Sequence, residues 1–214
     1  MKRYEHKFAI KSFKKYLNFR ATVLSSFSKT FDKRKINNIY FDSDHSSSLF
    51  ENLDGNYTKV KIRIRWYDDS KKYYLELKGK KGSVGFKKTE EVFIKNPELN
   101  FKKLKVKRLS QILIKVPENF KLYENFKAVS FNSYIREYYS NKKNNIRLTI
   151  DSSLSFINLR IGTNLYTKNF KIIEFKYKAV SSLEAAYSKL VRKMPEDISK
   201  FSKFSNSTHI NSYY

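Results

Sequence analysis

The stretch KVKIRIRWY (residues 59–67) decides the fold, because basic and apolar side chains alternate along it without interruption. Lys61, Arg63 and Arg65 share one face of an extended chain, and the apolar residues between them, together with Trp66, share the other. A period of two is typical of a β-strand that buries one of its faces. The stretch therefore predicts a strand with a cationic stripe, whose function depends on whether the stripe faces water or an interior.

The same alternation occurs on both sides of this strand. The further strands that it predicts are 3–10, 36–42, 72–80, 86–95, 133–139, 145–151 and 170–178. Helices are predicted at 12–27, 46–53, 102–112 and 182–192. The first helix carries an apolar stripe that includes Phe13 and Leu17, which favours packing of that stripe on the sheet. The fold class is therefore α+β: one antiparallel β-rich domain over residues 1–214 with peripheral helices.

The composition excludes several classes of protein. Hydrophobic residues make up 40% of the 214 residues and aromatic residues 16%, which is too much for a disordered basic tail. No apolar run approaches the roughly 18 residues of a membrane span. The N-terminus also lacks the apolar core of a signal peptide, so a cytoplasmic location is expected. The absence of Cys excludes disulfides and thiolate metal sites.

The formal net charge of +25 predicts a polyanionic partner, such as nucleic acid, anionic lipid or a chain of phosphates. Many of the 35 lysines fit a merely solvated surface, so the ten arginines are more informative. A guanidinium group binds phosphate through two parallel hydrogen bonds, which an ammonium group cannot do. A glycine-rich phosphate loop is not expected, because the chain has five Gly and GKKG (79–82) lacks the P-loop spacing.

Two arrangements of the charged faces are compatible with the alternation. In an ordinary sandwich these faces meet water. In a barrel that turns them inward, a basic lumen is costly when empty and is stabilised by a polyanion. Carboxylates at Glu5, Glu76 and Glu174 would lie among the cations and can hold a divalent metal that bridges phosphate oxygens. The second arrangement predicts a ligand made of linked phosphates together with Mg²⁺ or Mn²⁺.

Eight segments carry a resemblance to a known family along nearly the whole chain. They are YEHKF (4–8), IYFDSD (39–44), KIRIRWY (61–67), LELKGK (75–80), YIREYY (134–139), RLTID (147–151), IIEFKYK (172–178) and FSKFS (201–205). In this order they resemble the VTC-type polyphosphate polymerase domain of the CYTH, or triphosphate tunnel, superfamily. The resemblance implies an antiparallel eight-stranded β-barrel tunnel, lined with Arg, Lys and Glu and flanked by peripheral helices.

The resemblance also implies a set of site residues. The residues that it places against phosphates are Lys7, Arg63, Arg65, Lys78, Lys87 or Lys88, Tyr134, Arg136, Arg147, Ser202 and Lys203. Lys200 is an alternative to Lys203, because the tail repeats its FSK pattern in a similar form. Glu174 resembles the metal-binding carboxylate. The first strand reads Arg3, Glu5, Lys7 where the wider superfamily has E-x-E-x-K, and this departure suits the VTC branch.

The activity implied by the resemblance is transfer of the γ-phosphoryl group of ATP to a growing polyphosphate chain, with Mn²⁺ or Mg²⁺. Since relatives act beside or fused to membrane segments, the resemblance also implies a membrane-protein partner at the inner face of a membrane. An alternative in the same tunnel is an inorganic triphosphatase or nucleotide phosphohydrolase, which must orient a water molecule.

Two non-enzymatic alternatives remain open. The first, a less favoured interpretation, is a nucleic-acid binder. Such a protein would combine the net charge with exposed aromatic residues such as Trp66, Tyr73 and Tyr74. A membrane-surface scaffold is indicated by charge alone, because no basic amphipathic helix is evident in the sequence.

Overall fold

The computed structural model describes residues 3–43, 48, 58–81, 84–93, 118–123, 125–143, 145–162, 166–178, 187–199 and 201–208. Three of the predicted helices fall wholly or partly outside this part of the chain. The helix predicted at 102–112 lies outside it completely, and the one at 46–53 lies outside it except for Ser48. Of the helix predicted at 182–192, residues 187–191 are described and are helical.

The described residues form nine strands. They are β1 (Arg3–Ile10), β2 (Ser28–Asp42), β3 (Thr58–Tyr67), β4 (Tyr73–Lys81), β5 (Val84–Val92), β6 (Lys127–Asn141), β7 (Ile146–Asn158), β8 (Tyr166–Lys168) and β9 (Lys171–Lys178). Eight of them follow the order β1-β9-β7-β6-β2-β3-β4-β5, and the short β8 pairs with β7. The pairs β1–β9, β9–β7, β2–β3, β3–β4 and β4–β5 are antiparallel. The predicted α+β class with an eight-stranded antiparallel sheet is confirmed.

The helices are few and short. Helix α1 spans Phe13–Thr22, a 3₁₀ turn follows at Leu24–Ser26, a second 3₁₀ segment spans Glu118–Tyr123, and helix α2 spans Lys203–Thr208. Ser12 caps α1 by accepting a hydrogen bond from the backbone N–H of Lys15. In the described residues, no helix combines the length and the apolar character needed to cross a bilayer.

Three strands extend beyond their predicted ends. β2 begins at Ser28 instead of residue 36, and its first eight residues are all exposed. An exposed half-strand has no apolar alternation, so the sequence pattern that reveals a strand is missing there. β6 and β7 are likewise longer than predicted, ending at Asn141 and Asn158.

The chain forms two compact units, each built from three separate segments. The first unit comprises residues 1–35, 134–154 and 167–201, and the second comprises 36–133, 155–166 and 202–214. β2, β6 and β7 contribute residues to both. The prediction that residues 1–214 make up a single domain stays a prediction.

Each unit has its own apolar core on one face of its strands. In the first unit the core includes Phe8, Phe19, Ile150 and Phe175, all fully buried. In the second unit it includes the isoleucines of β3, Trp66, Leu75 and Phe131. The alternate residues of the same strands are polar or charged, so each unit presents a charged face opposite its core.

The apolar stripe predicted for the first helix is wrong in part. Tyr16 and Phe19 pack into the core as expected, but Phe13 is 70% exposed and Leu17 is 49% exposed. At about 100° per residue, Phe13 lies about 120° and Leu17 about 160° around α1 from the fully buried Phe19, so both turn away from the core. The sequence pattern merged two faces of the helix into one stripe.

Candidate functional site

The charged face of the second unit holds a pair of buried arginines from β3. The register places Arg63 between Tyr40 of β2 and Glu76 of β4. Arg63 donates to one oxygen of Glu76 through Nε (2.7 Å) and Nη2 (2.6 Å), and its Nη1 donates to the Tyr40 hydroxyl at 3.1 Å. The guanidinium plane is therefore fixed from both neighbouring strands.

The second arginine is held by a pair of buried amides. Arg65 Nε donates to Asn38 Oδ1 at 2.9 Å, and Asn38 Nδ2 donates to Asn132 Oδ1 at 3.0 Å. Asn38 and Asn132 are fully buried. Asn132 Nδ2 meets no acceptor within the part of the chain that is described. Buried polar groups of this kind hold a neighbouring charge in one orientation.

Glu76 lies at the centre of the cationic group. Lys87 Nζ lies 2.8 Å from its Oε1, and Arg65 Nη1 lies 3.9 Å from its Oε2. Burial alone would raise the pKa of Glu76, but Arg63, Arg65 and Lys87 lower it to about 2. Glu76 is therefore ionised at neutral pH. The cluster of three cations around one carboxylate, which we call the arginine cluster, carries a net positive charge.

Helix α2 brings its residues to the same face of the second unit. Lys61 Nζ donates to Ser202 Oγ at 3.3 Å. Phe204 is 1% exposed and its ring centroid lies 5.2 Å from that of Tyr40. Lys203 opens the helix and is half-buried. The apolar contact of Phe204 thus anchors the tail beside β2 and β3.

Tyr40 has an unusual electrostatic setting. Burial raises the pKa of its phenol, but Arg63, Arg65 and Lys61 outweigh that effect and bring the pKa down to about 8. The hydrogen bond from Arg63 contributes to this lowering. The lowered pKa of Tyr40 follows from the positive charges that surround its hydroxyl.

The charged face of the first unit carries alternating carboxylates and ammonium groups on β1 and β9. Lys7 Nζ lies 3.1 Å from Glu5 Oε1 and 4.0 Å from Glu174 Oε2. Lys176 Nζ lies 2.5 Å from Glu174 Oε1 and 3.8 Å from Glu5 Oε2. Although burial opposes ionisation of Glu174, Lys176, Arg136 and Lys7 lower its pKa. We call this group the carboxylate–lysine cluster.

Arg136 adds a buried cation to the first unit. Its Nε and Nη2 donate to the two oxygens of Asp151 at 2.6 and 2.8 Å, a bidentate pair. The guanidinium carbon also lies 5.3 Å from the ring centroid of Tyr134. Burial disfavours the charged form, yet Asp151 raises the pKa of Arg136 above its ordinary value. Arg136 therefore keeps its charge at every working pH.

Other predicted site residues are more exposed. Arg147 and Lys78 belong to the charged faces of their strands but are exposed to solvent. Lys88 pairs with Leu77 and so lies on the opposite face from Lys87, which contacts Glu76. Lys200, the alternative to Lys203, lies outside the described residues.

The donor sets differ in how well they fit a divalent metal. Mg²⁺ and Mn²⁺ are held by one or two carboxylates, with phosphate and water oxygens completing the shell. Glu174 and Glu5 lie on neighbouring strands and can supply such a pair, so they fit. The oxygens of all three carboxylates face cations, but Glu76 also accepts two hydrogen bonds from the Arg63 guanidinium, which fits a role in anchoring the arginines. No group of three acidic or histidine side chains forms among the residues described.

Sequence reasoning missed the residues that hold the arginines. Asn38 and Tyr40 alternate with Ile39 and Phe41 in the strand INNIYFD (36–42), which was the available signal. Their role depends on the register between β2 and β3, which pairs Asn38 with Arg65. Asp151, quoted only as part of RLTID, was missed in the same way.

The prediction that exposed aromatic residues serve nucleic-acid binding is wrong for Trp66 and Tyr73. Trp66 is 3% exposed and Tyr73 is 5% exposed, and both lie in the apolar core of the second unit. Their rings contact one another at a centroid distance of 5.7 Å. Tyr74, on the other face of β4, is half-buried. Stacking on single-stranded bases requires exposed ring faces, and the core removes them at Trp66 and Tyr73.

Comparison with known proteins identifies both fold and family. Two solved structures share the fold: a proposed adenylyl cyclase from Hippeastrum with a dominant triphosphatase activity (16% identity, TM-score 0.54, covering 96% of this chain and 94% of that one), and a proposed adenylate cyclase from Vibrio parahaemolyticus (12%, 0.51, 94% and 95%). Among curated proteins there is no significant match. The family model described as the VTC domain matches residues 2–211. Because that match covers nearly the entire sequence, the chain belongs to the VTC domain family.

Proposed function

We propose that this VTC-domain chain is a metal-dependent polyphosphate polymerase that transfers the γ-phosphoryl group of ATP to the end of a polyphosphate chain. The observation that carries the proposal is the arginine cluster, in which Arg63 and Arg65 are each at most 9% exposed and are held by Tyr40, Asn38 and Glu76. Cations buried together repel one another, and an anionic ligand relieves that repulsion.

The reaction needs positioning and charge neutralisation more than covalent chemistry. The transition state of phosphoryl transfer is loose, with negative charge spread over the phosphoryl oxygens. Preorganised guanidinium groups stabilise such charge without reorganising during the reaction. In the second unit, Arg63 and Arg65 would bind phosphate oxygens, and Lys61 and Lys87 would add to the positive field. In the first unit, Arg136 would bind phosphate oxygens, and Lys7 would add to the positive field there. The attacking terminal phosphate oxygen is already ionised, so no general base is required.

A divalent ion would be held by Glu174, with Glu5 beside it. When bound, such an ion would supply Lewis-acid neutralisation of the charge on the reacting phosphate groups. Lys176 and Lys7 contact these carboxylates in the structure, so they would keep Glu174 ionised and would orient both side chains. In the second unit, Ser202 and Lys203, at the start of α2, would add phosphate contacts to those of Arg63 and Arg65.

A second candidate is hydrolysis of inorganic triphosphate. It is favoured by the likeness in fold to the Hippeastrum protein, whose dominant activity is that of a triphosphatase. The same cationic clusters would also bind the oxygens of a triphosphate. The two activities differ only in whether a water molecule or a phosphate chain attacks.

The decisive experiment is incubation of the full chain with ATP and Mn²⁺, followed by gel analysis of polymers and by phosphate release. A ladder of polyphosphate supports the polymerase, whereas free phosphate without polymer assigns hydrolysis. Arg63→Ala should abolish either activity, and Arg34→Ala, which changes an exposed arginine of β2, should not. Equal activity of Arg63→Ala and the unmodified chain would contradict both assignments.

A further inference from the structure

The outward face of α1 carries large apolar side chains that neither the core nor the charged clusters use. Phe13 is 70% exposed and Leu17 is 49% exposed. The two are one helical turn apart, so they form one patch about 6 Å long. Lys14 is also exposed and lies on the same outward side. Isolated apolar residues are ordinary on a protein surface, but a contiguous pair on a helix indicates a contact.

Basic residues accompany this apolar pair. The segment KSFKKYLNFR (11–20) contains four basic residues and no acidic one. Lys15 binds Glu196 at 3.1 Å on the flank of the helix, whereas Lys11, Lys14 and Arg20 are exposed. The helix thus combines protruding apolar groups with positive charge.

We propose that this face docks on an anionic lipid bilayer. We define the α1 surface as Lys11, Phe13, Lys14, Leu17 and Arg20. Phe13 and Leu17 would enter the interface between headgroups and acyl chains, and the basic residues would contact anionic headgroups. Each basic residue near such a surface strengthens binding by about fivefold.

A bilayer fits the α1 surface better than a protein partner does. A stable protein interface buries roughly 800 Å² per partner, far more than one helical turn with two apolar side chains offers. A second copy of this chain would bring the same +25 charge against it. Shallow insertion of a few apolar residues, combined with electrostatic attraction, is the mode by which interfacial helices bind membranes.

The sequence pattern concealed this surface for a physical reason. Tyr16 and Phe19 face the core, and Phe13 and Leu17 face outward, so apolar residues occur on two sides of one short helix. Such a helix has no single apolar face, so its sequence does not predict an amphipathic helix. The surface becomes visible only when burial separates the two pairs.

The test uses the full chain with vesicles of phosphatidylcholine, with and without phosphatidylglycerol, and measures binding by co-sedimentation. We expect binding that requires phosphatidylglycerol and weakens as salt is added. The double variant Phe13→Ser/Leu17→Ser should lose at least about tenfold in affinity. The variant Lys11→Gln/Lys14→Gln should lose roughly twentyfold. In Phe13→Trp, tryptophan emission should shift to shorter wavelength when anionic vesicles are added.

Matched controls lie on other exposed parts of the same unit. Phe31→Ser removes an apolar residue that is 63% exposed on β2, and Lys142→Gln/Lys143→Gln removes two exposed charges after β6. Both should keep the binding of the unmodified chain. Equal losses in the control and α1 variants, absence of binding to anionic vesicles, or an unshifted emission of Phe13→Trp on bound vesicles would each overturn the proposal. Binding of single-stranded RNA through α1 without vesicle binding would overturn it in favour of a nucleic-acid contact.

Discussion

At the scale of single residues, the proposed function of the arginine cluster depends on the planar, forked shape of the guanidinium groups as much as on their charge. Arg65 donates to Asn38 and lies near Glu76, so its removal leaves one buried amide oxygen without that donor, at a cost of about 1–3 kcal/mol in stability. Loss of a buried cation from a repelling group offsets part of that cost. A chain with Arg65→Ala should therefore remain folded.

The catalytic effect of Arg65→Ala should be much larger than its effect on stability. We expect a loss of roughly a hundredfold or more in turnover of ATP, as for removal of a group that stabilises transition-state charge. Arg65→Lys should restore little, because an ammonium group cannot reproduce the fork. Steady-state rates and thermal melting of the two variants check this. Full activity of Arg65→Ala would rule out the arginine cluster as the phosphate site.

Ionisation of the Tyr40 phenol should weaken phosphate binding at alkaline pH. Its pKa of about 8 in the empty protein means that the phenol ionises above that pH, which places a negative charge beside Arg63. A bound phosphate chain disfavours that ionisation, so affinity should fall by up to about tenfold per pH unit above pH 8. Calorimetry of tripolyphosphate binding in two buffers should detect proton uptake near pH 9.

The matched variant Tyr40→Phe separates this effect from general alkaline damage. It keeps the ring packed on Phe204 and removes only the hydroxyl. Proton uptake and the alkaline fall in affinity should both disappear. A pH profile identical to that of the unmodified chain would assign the alkaline fall to another group.

Glu174→Gln keeps the size of the side chain and removes its charge. Lys176 and Lys7 then lose a carboxylate partner, and the proposed metal loses its main ligand. The Mn²⁺ concentration needed for half-maximal activity should rise by tenfold or more, within the effect typical of altered metal sites. Glu196→Gln, which removes the partner of Lys15, should leave the metal titration unchanged. An unaltered titration for Glu174→Gln would place the metal elsewhere.

At the scale of elements, α2 is short but strongly anchored. Phe204 is almost fully buried against Tyr40 and Val129, and Ser207 Oγ donates to Ser130 Oγ at 2.8 Å. Phe204→Ala should lower the free energy of unfolding by about 3 kcal/mol, the usual cost of emptying a buried aromatic site. It should also weaken tripolyphosphate binding, because Tyr40 and Ser202 lose their support.

Chemical denaturation and calorimetry of that variant provide the check. Phe31→Ala, on the exposed half of β2, serves as the control and should change stability by less than about 0.5 kcal/mol. A Phe204→Ala chain with unchanged affinity would mean that α2 does not support the site.

The elements also show what a sequence pattern can and cannot predict. The alternation in β3 correctly put Arg63 and Arg65 on one face, because that face follows from the two-residue period alone. The same period put Arg147 and Lys78 on charged faces, but it does not predict whether a side chain is buried, and both are exposed. Burial of such a side chain depends on which element packs over that part of the strand. The choice between Lys87 and Lys88 likewise required the register of β5 with β4.

At the scale of the whole molecule, the excess of positive charge should make stability depend on phosphate ligands. Binding to the folded state stabilises it by about 2.7 kcal/mol at a hundredfold excess over Kd. For a chain of this size, tripolyphosphate should therefore raise the melting temperature by roughly 5–10 °C. Sodium chloride at the same ionic strength should have a much smaller effect. Equal shifts from both would indicate general screening without a specific site.

The family and the antiparallel sheet could be predicted because they follow from segments spread over the whole chain. Asn132 illustrates what could not be predicted. It lies 94 positions from Asn38, and only the pairing of distant strands brings their amides to 3.0 Å. Charge and alternation in the sequence predict which side chains share a face of a strand. Hydrogen-bond partners on distant strands, in contrast, are determined by the topology of the sheet.

Because each unit is built from three separate chain segments, neither unit corresponds to one continuous stretch of sequence that could be exchanged on its own. No single cut in the gene releases either unit intact, because every unit takes residues from the beginning, the middle and the end of the chain. Recombination at a breakpoint between residues 7 and 174 would separate Glu5 and Lys7 from Glu174 and Lys176, and so would break up the carboxylate–lysine cluster. A chimera with a related chain is therefore expected to keep its activity only when β1 and β9 come from the same parent.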